Sequence, residues 1–200
     1  MLAVEEAQAR VLAEVHPLPP EPVALADAFG RVLREDVAAD LDAPQADNSA
    51  MDGYAVRAED VENAPVTLRV IGDVPAGHLA EGAVEPGTAM RIMTGAYVPD
   101  GADTVVQVEL TDGGIETVRI EKALARGANI RRRGEDMRAG DVVLRGGARI
   151  GAAEMAMLAN VQKRAVSVGR RPTVAILSTG DELIDVDEPR APGKIVNTNG

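Results

Sequence analysis

Two hundred residues are enough for one large or two small domains with a core of their own. The balance of 21 basic against 32 acidic residues gives a net charge of −11, which repels phosphate backbones, and Phe29, Tyr54 and Tyr97 are the only aromatics, so stacking platforms for single-stranded nucleic acid are lacking. With no Cys, and with His16 and His78 as the only histidines, neither a disulfide framework nor a zinc site built on thiolate or imidazole can form.

Val4, Ala7, Val11, Leu12 and Val15 recur at helical spacing between Glu5, Glu6, Arg10 and Glu14, which predicts an amphipathic helix over residues 3–15. Pro17, Pro19, Pro20 and Pro22 then force extended chain. Leu25, Ala28, Phe29, Val32 and Leu33 suggest a short second helix interrupted near Gly30, followed by extended chain to Asp40.

The run Asp47-Asn48-Ser49-Ala50-Met51-Asp52-Gly53-Tyr54-Ala55 comes next. It gathers two carboxylates, an amide and a hydroxyl with no Lys or Arg among them. Asn, Ser, Asp and Gly favour turns, because their side chains bond nearby backbone and Gly accepts positive φ. A turn that gathers oxygen ligands suits a hard cation or a polar substrate. Spacing alone favours the plainer reading, a tight loop with Asp or Ser as a cap.

From residue 55 the pattern shifts to period two. Val66, Leu68 and Val70 alternate with Thr67 and Arg69, and Met90 to Met93 and Thr104 to Leu110 read as further strands. Asp112-Gly113-Gly114 between Leu110 and Ile115 is a hairpin signal. Short strands separated by Gly and Pro predict a β-rich, barrel-like or sandwich-like domain over residues 40–140. Asp141 to Leu144 reads as a short strand. Ala152, Met155, Leu158 and Ala159 restore helical spacing over 151–162. Neither helical segment can bury its apolar face alone, so the two are expected to pack together with the β-rich part inserted between them.

Val166 and Val168 mark a strand ending at Gly169. Thr173 to Leu177 is a continuous apolar run, the pattern of a strand buried on both faces in a parallel α/β sheet. It leads into Ser178-Thr179-Gly180-Asp181-Glu182, where open α/β sheets bind ligands. An acidic loop to Gly193 and a short element at Ile195 and Val196 close the sequence. One buried strand cannot make a parallel sheet, so the chain reads as the front part of a longer protein. No apolar run approaches a membrane span and the N-terminus lacks a signal-peptide pattern, which makes a soluble cytoplasmic protein the expectation.

Three further polar clusters accompany the 47–55 turn: Ile92-Met93-Thr94-Gly95, Arg131-Arg132-Arg133-Gly134-Glu135-Asp136, and Ser178 to Glu182. An Arg run is usually a solvated face, although guanidinium groups also match phosphate and oxyanion geometry. In this order, and with Gly101-Ala102-Asp103-Thr104-Val105-Val106 and Arg171-Pro172, the sequence closely resembles the molybdopterin molybdenumtransferase family, that is bacterial MoeA and the E domain of gephyrin. The resemblance runs from about Pro22 to the end of the chain. Tyr97 departs from it, standing where a small residue is usual, as do Gln162 and Asn197-Thr198-Asn199.

The resemblance implies an α+β, multidomain fold. Residues 1–39 and 141–170 would form a discontinuous, flat helical dimerisation region, 40–140 the inserted β-rich domain, and 171–200 the start of an α/β molybdopterin-binding domain. It implies an enzyme of molybdenum cofactor biosynthesis, in which adenylylated molybdopterin and molybdate react with Mg2+ and AMP is released. Such enzymes are homodimers whose site lies between subunits, and the molybdopterin adenylyltransferase is a possible partner. By carry-over, Asp52, Thr94, Asp136 and Glu182 are the catalytic candidates, with Asp52, Asp136 and Glu182 for metal or substrate positioning. Asn48, Ser49, Arg131, Ser178, Thr179, Gly180 and Asp181 are candidates for substrate binding. Two other readings stand beside this one: a non-catalytic, gephyrin-like dimeric scaffold, and a generic β-rich module with a disordered acidic tail.

Overall fold

The computed structural model describes residues 2–199. In chain order, helix α1 (Val4–Ala13) leads through the proline segment to strand β1 (Pro20–Ala24), and β2 (Val37–Ala38), β3 (Asn48–Ser49) and β4 (Gly53–Val56) follow. A one-turn helix α2 (Ala58–Val61) precedes β5 (Val66–Val74), β6 (Thr88–Ile92), β7 (Thr104–Gln107), β8 (Thr117–Ile120) and β9 (Ile130–Arg131). Strand β10 (Val142–Leu144), helix α3 (Ala152–Asn160), β11 (Ala165–Gly169), β12 (Leu183–Ile184) and β13 (Ile195–Val196) complete the chain. The molecule is mostly β, with few helices, and among the described residues none is long and apolar enough to cross a membrane.

The largest unit is a five-stranded sheet in the order β7-β4-β6-β5-β8. Its residues alternate between two cores, as the period of a strand requires. Tyr54, Val56, Leu68, Ala89, Val106, Val118 and Ile120 meet on one face. Ala55, Val74, Met90, Ile92 and Val105 meet on the other. Because both faces are covered, β4 is buried at all four positions. A register shift between Val70 and Gly72 bends β5 against β6. The sheet also curls. After β7 a 3-10 turn at Val108–Leu110 carries the chain back to the outer edge of β8, where Thr111 bridges Ile120 and the Glu121 N–H donates to the Leu110 carbonyl at 2.9 Å. The predicted Asp112-Gly113-Gly114 turn lies in this return, its Asp112 Oδ1 accepting from the Gly114 and Arg119 N–H groups.

A second core joins the two ends of the sequence. Ala28, Leu33, Val37 and Ala39 pack against Ile150, Leu158, Val161, Val166 and Val168. The backbones are joined by antiparallel pairing of β1 with β11 and of β2 with β10. Helix α3 starts at Gly151, whose N–H donates to Glu154 Oε2 at 2.9 Å, and it buries Leu158 in this core.

Three sequence expectations are corrected here. The second helix predicted over 25–33 is a single 3-10 turn, Leu25–Asp27. Gly30 takes φ 77° in a turn, its N–H donating to the Ile150 carbonyl at 2.8 Å, and residues 31–33 then run against 148–150. The two amphipathic helices do not pack together: α1 buries no residue, and the two ends of the chain meet through strands. The apolar run at 173–177 is no buried strand. Val174, Ile176 and Leu177 are 74%, 63% and 87% exposed, because no strand among the described residues pairs with them. Only β12 and β13, two residues each, pair in parallel near the C-terminus.

Candidate functional site

The 47–55 turn is built by pairing at both ends. Asn48 and Ser49 in β3 lie antiparallel to Arg131 and Ile130 in β9, and Gly53 opens β4 between Ile92 and Gln107. A Cβ on Gly53 would lie 2.0 Å from the Val106 carbonyl oxygen, so only glycine allows β7 this close. Asp52 therefore emerges from a backbone that is fixed on its C-terminal side, where its own carbonyl also accepts the Val108 N–H at 3.0 Å.

The Asp52 carboxylate meets the Thr94 turn that follows β6. Its Oδ1 accepts both the Thr94 N–H and the Thr94 hydroxyl at 2.7 Å. These two bonds hold the acid below its ordinary pKa against the opposing effect of desolvation, with a smaller contribution from the Arg91 charge. Among the described residues nothing bonds Oδ2 of this exposed, ionised group. The structure thus unites two of the four catalytic candidates across 42 residues of sequence.

The other candidates lie elsewhere. Asp136 is exposed on the Gly134 turn, and the side chain that closes this turn is that of its neighbour Glu135, whose Oε2 accepts the Arg132 N–H at 2.8 Å. Glu182 is exposed beside β12, its carboxylate against Gly180. Among the described residues no three acids or histidines form a metal-binding group, so Asp52, Asp136 and Glu182 do not come together within one chain. Ser178 is half-buried, and Thr179, Gly180 and Asp181 are exposed in the segment ahead of β12. The Asp181 carbonyl accepts from Lys194 Nζ.

The Arg run divides. Arg132 pairs with Asp47 at 2.5 Å and Arg133 with Asp42 at 2.5 Å. The Arg133 N–H first, and then Arg132, lower the Asp47 pKa, while the Ala139 N–H and then Arg133 lower that of Asp42. Arg131 makes no side-chain bond among the described residues and is exposed. Sequence reading missed this network, whose partners lie 85 and 91 residues apart with no local signal.

Of the remaining candidates, Ser49 is buried, and its hydroxyl donates to the Met51 carbonyl and accepts the Met51 N–H, so it shapes the turn. Asn48 lines a cavity of about 310 Å3 together with Asp40, Asp42, Tyr97, Asn160 and Gln162, and its buried Oδ1 has no hydrogen-bond partner. Two carboxylates and no Lys or Arg line that cavity, a poor setting for an anion.

Residues 2–161 match the model of the MoeA N-terminal region (domain I and II). A Mycobacterium tuberculosis (strain CDC 1551 / Oshkosh) protein named molybdopterin molybdenumtransferase 2 is 45% identical over 204 residues, covering 100% of this chain and 50% of its own length. The Bacillus subtilis (strain 168) molybdopterin molybdenumtransferase is 42% identical over 185 residues, covering 88% of this chain and 43% of its own. The crystal structure of a molybdopterin biosynthesis MoeA protein from Pyrococcus horikoshii OT3 matches with a TM-score of 0.92 at 38% identity, over 100% of this chain and 54% of that one. The chain spans about half the length of the curated relatives it matches.

Proposed function

Because this chain belongs to the MoeA family, through the N-terminal region matched by residues 2–161, we propose that it serves molybdenum cofactor biosynthesis by supplying one wall of a molybdenum insertase site. The reaction takes adenylylated molybdopterin and molybdate: water attacks the adenylate phosphorus, the bond from that phosphorus to the oxygen of the molybdopterin phosphate breaks, AMP leaves carrying the water oxygen, and molybdate bonds the two dithiolene sulfurs as one of its oxo groups leaves as water with the two thiol protons. The observation that carries the proposal is the Asp52–Thr94 pair. Its carboxylate is exposed and ionised, with one oxygen held by two donors and the other open.

That donor set fits Mg2+, which binds through one or two carboxylates together with water and substrate phosphates rather than in an all-protein cage. Asp52 Oδ2 would be the ligand from this chain. The ion would neutralise the crowded phosphate and oxyanion charge and orient the phosphorus. Thr94 fixes the carboxylate, so the ligand oxygen is oriented before substrate arrives. Arg131, the unpaired member of its run, is assigned to the oxyanion. Glu182 and the Ser178 to Asp181 segment are assigned to a second wall, which meets Asp52 and Thr94 across a homodimer, and Asp136, within the inserted 40–140 part, is assigned to metal or substrate positioning. We divide the chain into the inserted domain at 40–140, the flanking parts at 1–39 and 141–170, and the start of a further domain at 171–200. The pairing of β1 with β11 and of β2 with β10 supports this division.

The test is Mg2+- and molybdate-dependent AMP release by a polypeptide extending this sequence over the remaining length of its relatives, beside the 200-residue chain. Turnover by the extended form alone is expected. Equal turnover by the shorter chain would place the whole site within it and contradict the shared-wall reading.

A further inference from the structure

Beside the Asp52–Thr94 pair lies a cleft of about 250 Å3, lined by Gly77, His78, Leu79, Gly95 and Tyr97. Gly95 directly follows Thr94, so the cleft begins one residue from the site. No atom lies within 4 Å of where a Cβ would stand on Gly77 or Gly95, so the two glycines leave open space there. The walls are two flat rings and one aliphatic chain. Leu79 is 74% exposed, and the imidazole of His78, on the same exposed loop, has its Nδ1 3.3 Å from the Ala76 carbonyl oxygen. Tyr97 is half-buried, and its backbone is bridged to Asn48. It also lines the acidic cavity that Asn48, Asp40 and Asp42 border.

The chain has only three aromatics. Tyr54 is in the core, its hydroxyl donating to the Gly114 carbonyl at 2.9 Å, and Phe29 lies in the turn before β2. Tyr97 is the one that borders the candidate site. No Lys, Arg, Asp or Glu lines this cleft, so it suits a flat uncharged group and not the phosphates themselves.

We infer that the cleft between His78, Leu79 and Tyr97 binds the planar heteroaromatic ring of the substrate while its phosphates lie at Asp52 and Thr94. The inference rests on the proposed function, because it takes that pair as the phosphate end. A ring slotted beside Tyr97 adds stacking area at a polar, exposed turn. Adenine and pterin share this chemistry, and the experiment separates them.

The test is NMR of the 200-residue chain with ring-labelled tyrosine and labelled backbone, held in saturating Mg2+ and titrated separately with AMP and with 6-hydroxymethylpterin. The Tyr97 ring resonances are expected to move and those of Tyr54 to stay, and the probe that moves them identifies the ring. Tyr97→Ala should weaken that probe roughly fivefold or more, the loss expected when a stacked base loses its platform. Tyr97→Phe should keep the affinity, and unchanged Tyr54 resonances report an intact fold in both variants. If AMP moves the Thr94 amide but neither probe moves Tyr97, the ring cleft is overturned and the phosphate end stands. If neither responds to either probe, the cleft is overturned and the assignment of Asp52 and Thr94 to the phosphates falls with it.

Discussion

The ionisation state of Asp52 can be measured directly. The Thr94 N–H and then its hydroxyl stabilise the ionised carboxylate, so the folded pKa lies below the unfolded one, which is about 3.9. The stability this group contributes is therefore fully present above the unfolded value and is lost as pH falls through the lower folded value. In Thr94→Val the N–H donor remains and the hydroxyl is gone. A carbon-13 titration of the Asp52 carboxyl should show its midpoint rise part of the way towards the ordinary value, and an unchanged midpoint would mean the hydroxyl bond is not formed in solution. The turn itself was legible, because short polar side chains and a glycine announce it. Its partner was not legible from spacing, since Thr94 lies 42 residues away and only the family resemblance linked the two. Ser49 shows the opposite limit. A hydroxyl in the same run counts as a ligand on paper, yet both its donor and its acceptor capacity go to Met51.

At the scale of elements, β4 locks the site to the sheet. Gly53→Ala would drive a methyl group into the Val106 carbonyl, which must shift β4 away from β7. Overpacking of this kind costs roughly 1–3 kcal/mol, and the loss should appear as a lower urea midpoint together with faster amide exchange in β7. A midpoint unchanged from wild type would contradict the close approach. Tyr54 on the same strand has its phenol pKa raised by burial. Its stabilising contribution is present below the unfolded pKa of about 10 and is lost as pH rises through the folded value. Tyr54→Phe should therefore flatten the alkaline decline in stability, measured as urea midpoints across that range. Period-two patterning made β5, β6 and β7 readable, since each alternates between two cores. Other patterns misled at 25–33, read by helical spacing, and at 173–177, read as a continuous apolar run. Helical spacing there was overridden by Gly30 and by pairing with distant residues 148–150, and a continuous apolar run becomes a buried strand only if neighbours cover it.

Over the whole molecule, the candidate residues fall on different parts of the fold. Asp52, Thr94 and the ring cleft belong to the curled sheet, whereas Ser178 to Glu182 follow the core that joins the two ends of the sequence. Leu158 is fully buried in that second core, so Leu158→Ala should cost about 2–5 kcal/mol in chemical unfolding. Amide exchange should be slow through β4 and orders of magnitude faster over 171–181, where the chain is largely exposed and no backbone N–H has a hydrogen-bond acceptor among the described residues. Equal protection in both would contradict the fold as described. The joining of the two flanking segments through β1 and β11 was foreseen only as a meeting of helices, because strand pairing across 149 residues (Pro20 to Gly169) leaves no periodic trace. The central claim is that the Asp52 carboxylate orients the metal and phosphate end of the substrate. The most direct measurement is AMP release from adenylylated molybdopterin by the extended polypeptide carrying Asp52→Asn, with its fold checked by the Tyr54 resonances. A fall of about 100-fold or more is expected, as when one preorganised electrostatic contact is removed from an active site; wild-type turnover in that variant would rule out this role for Asp52.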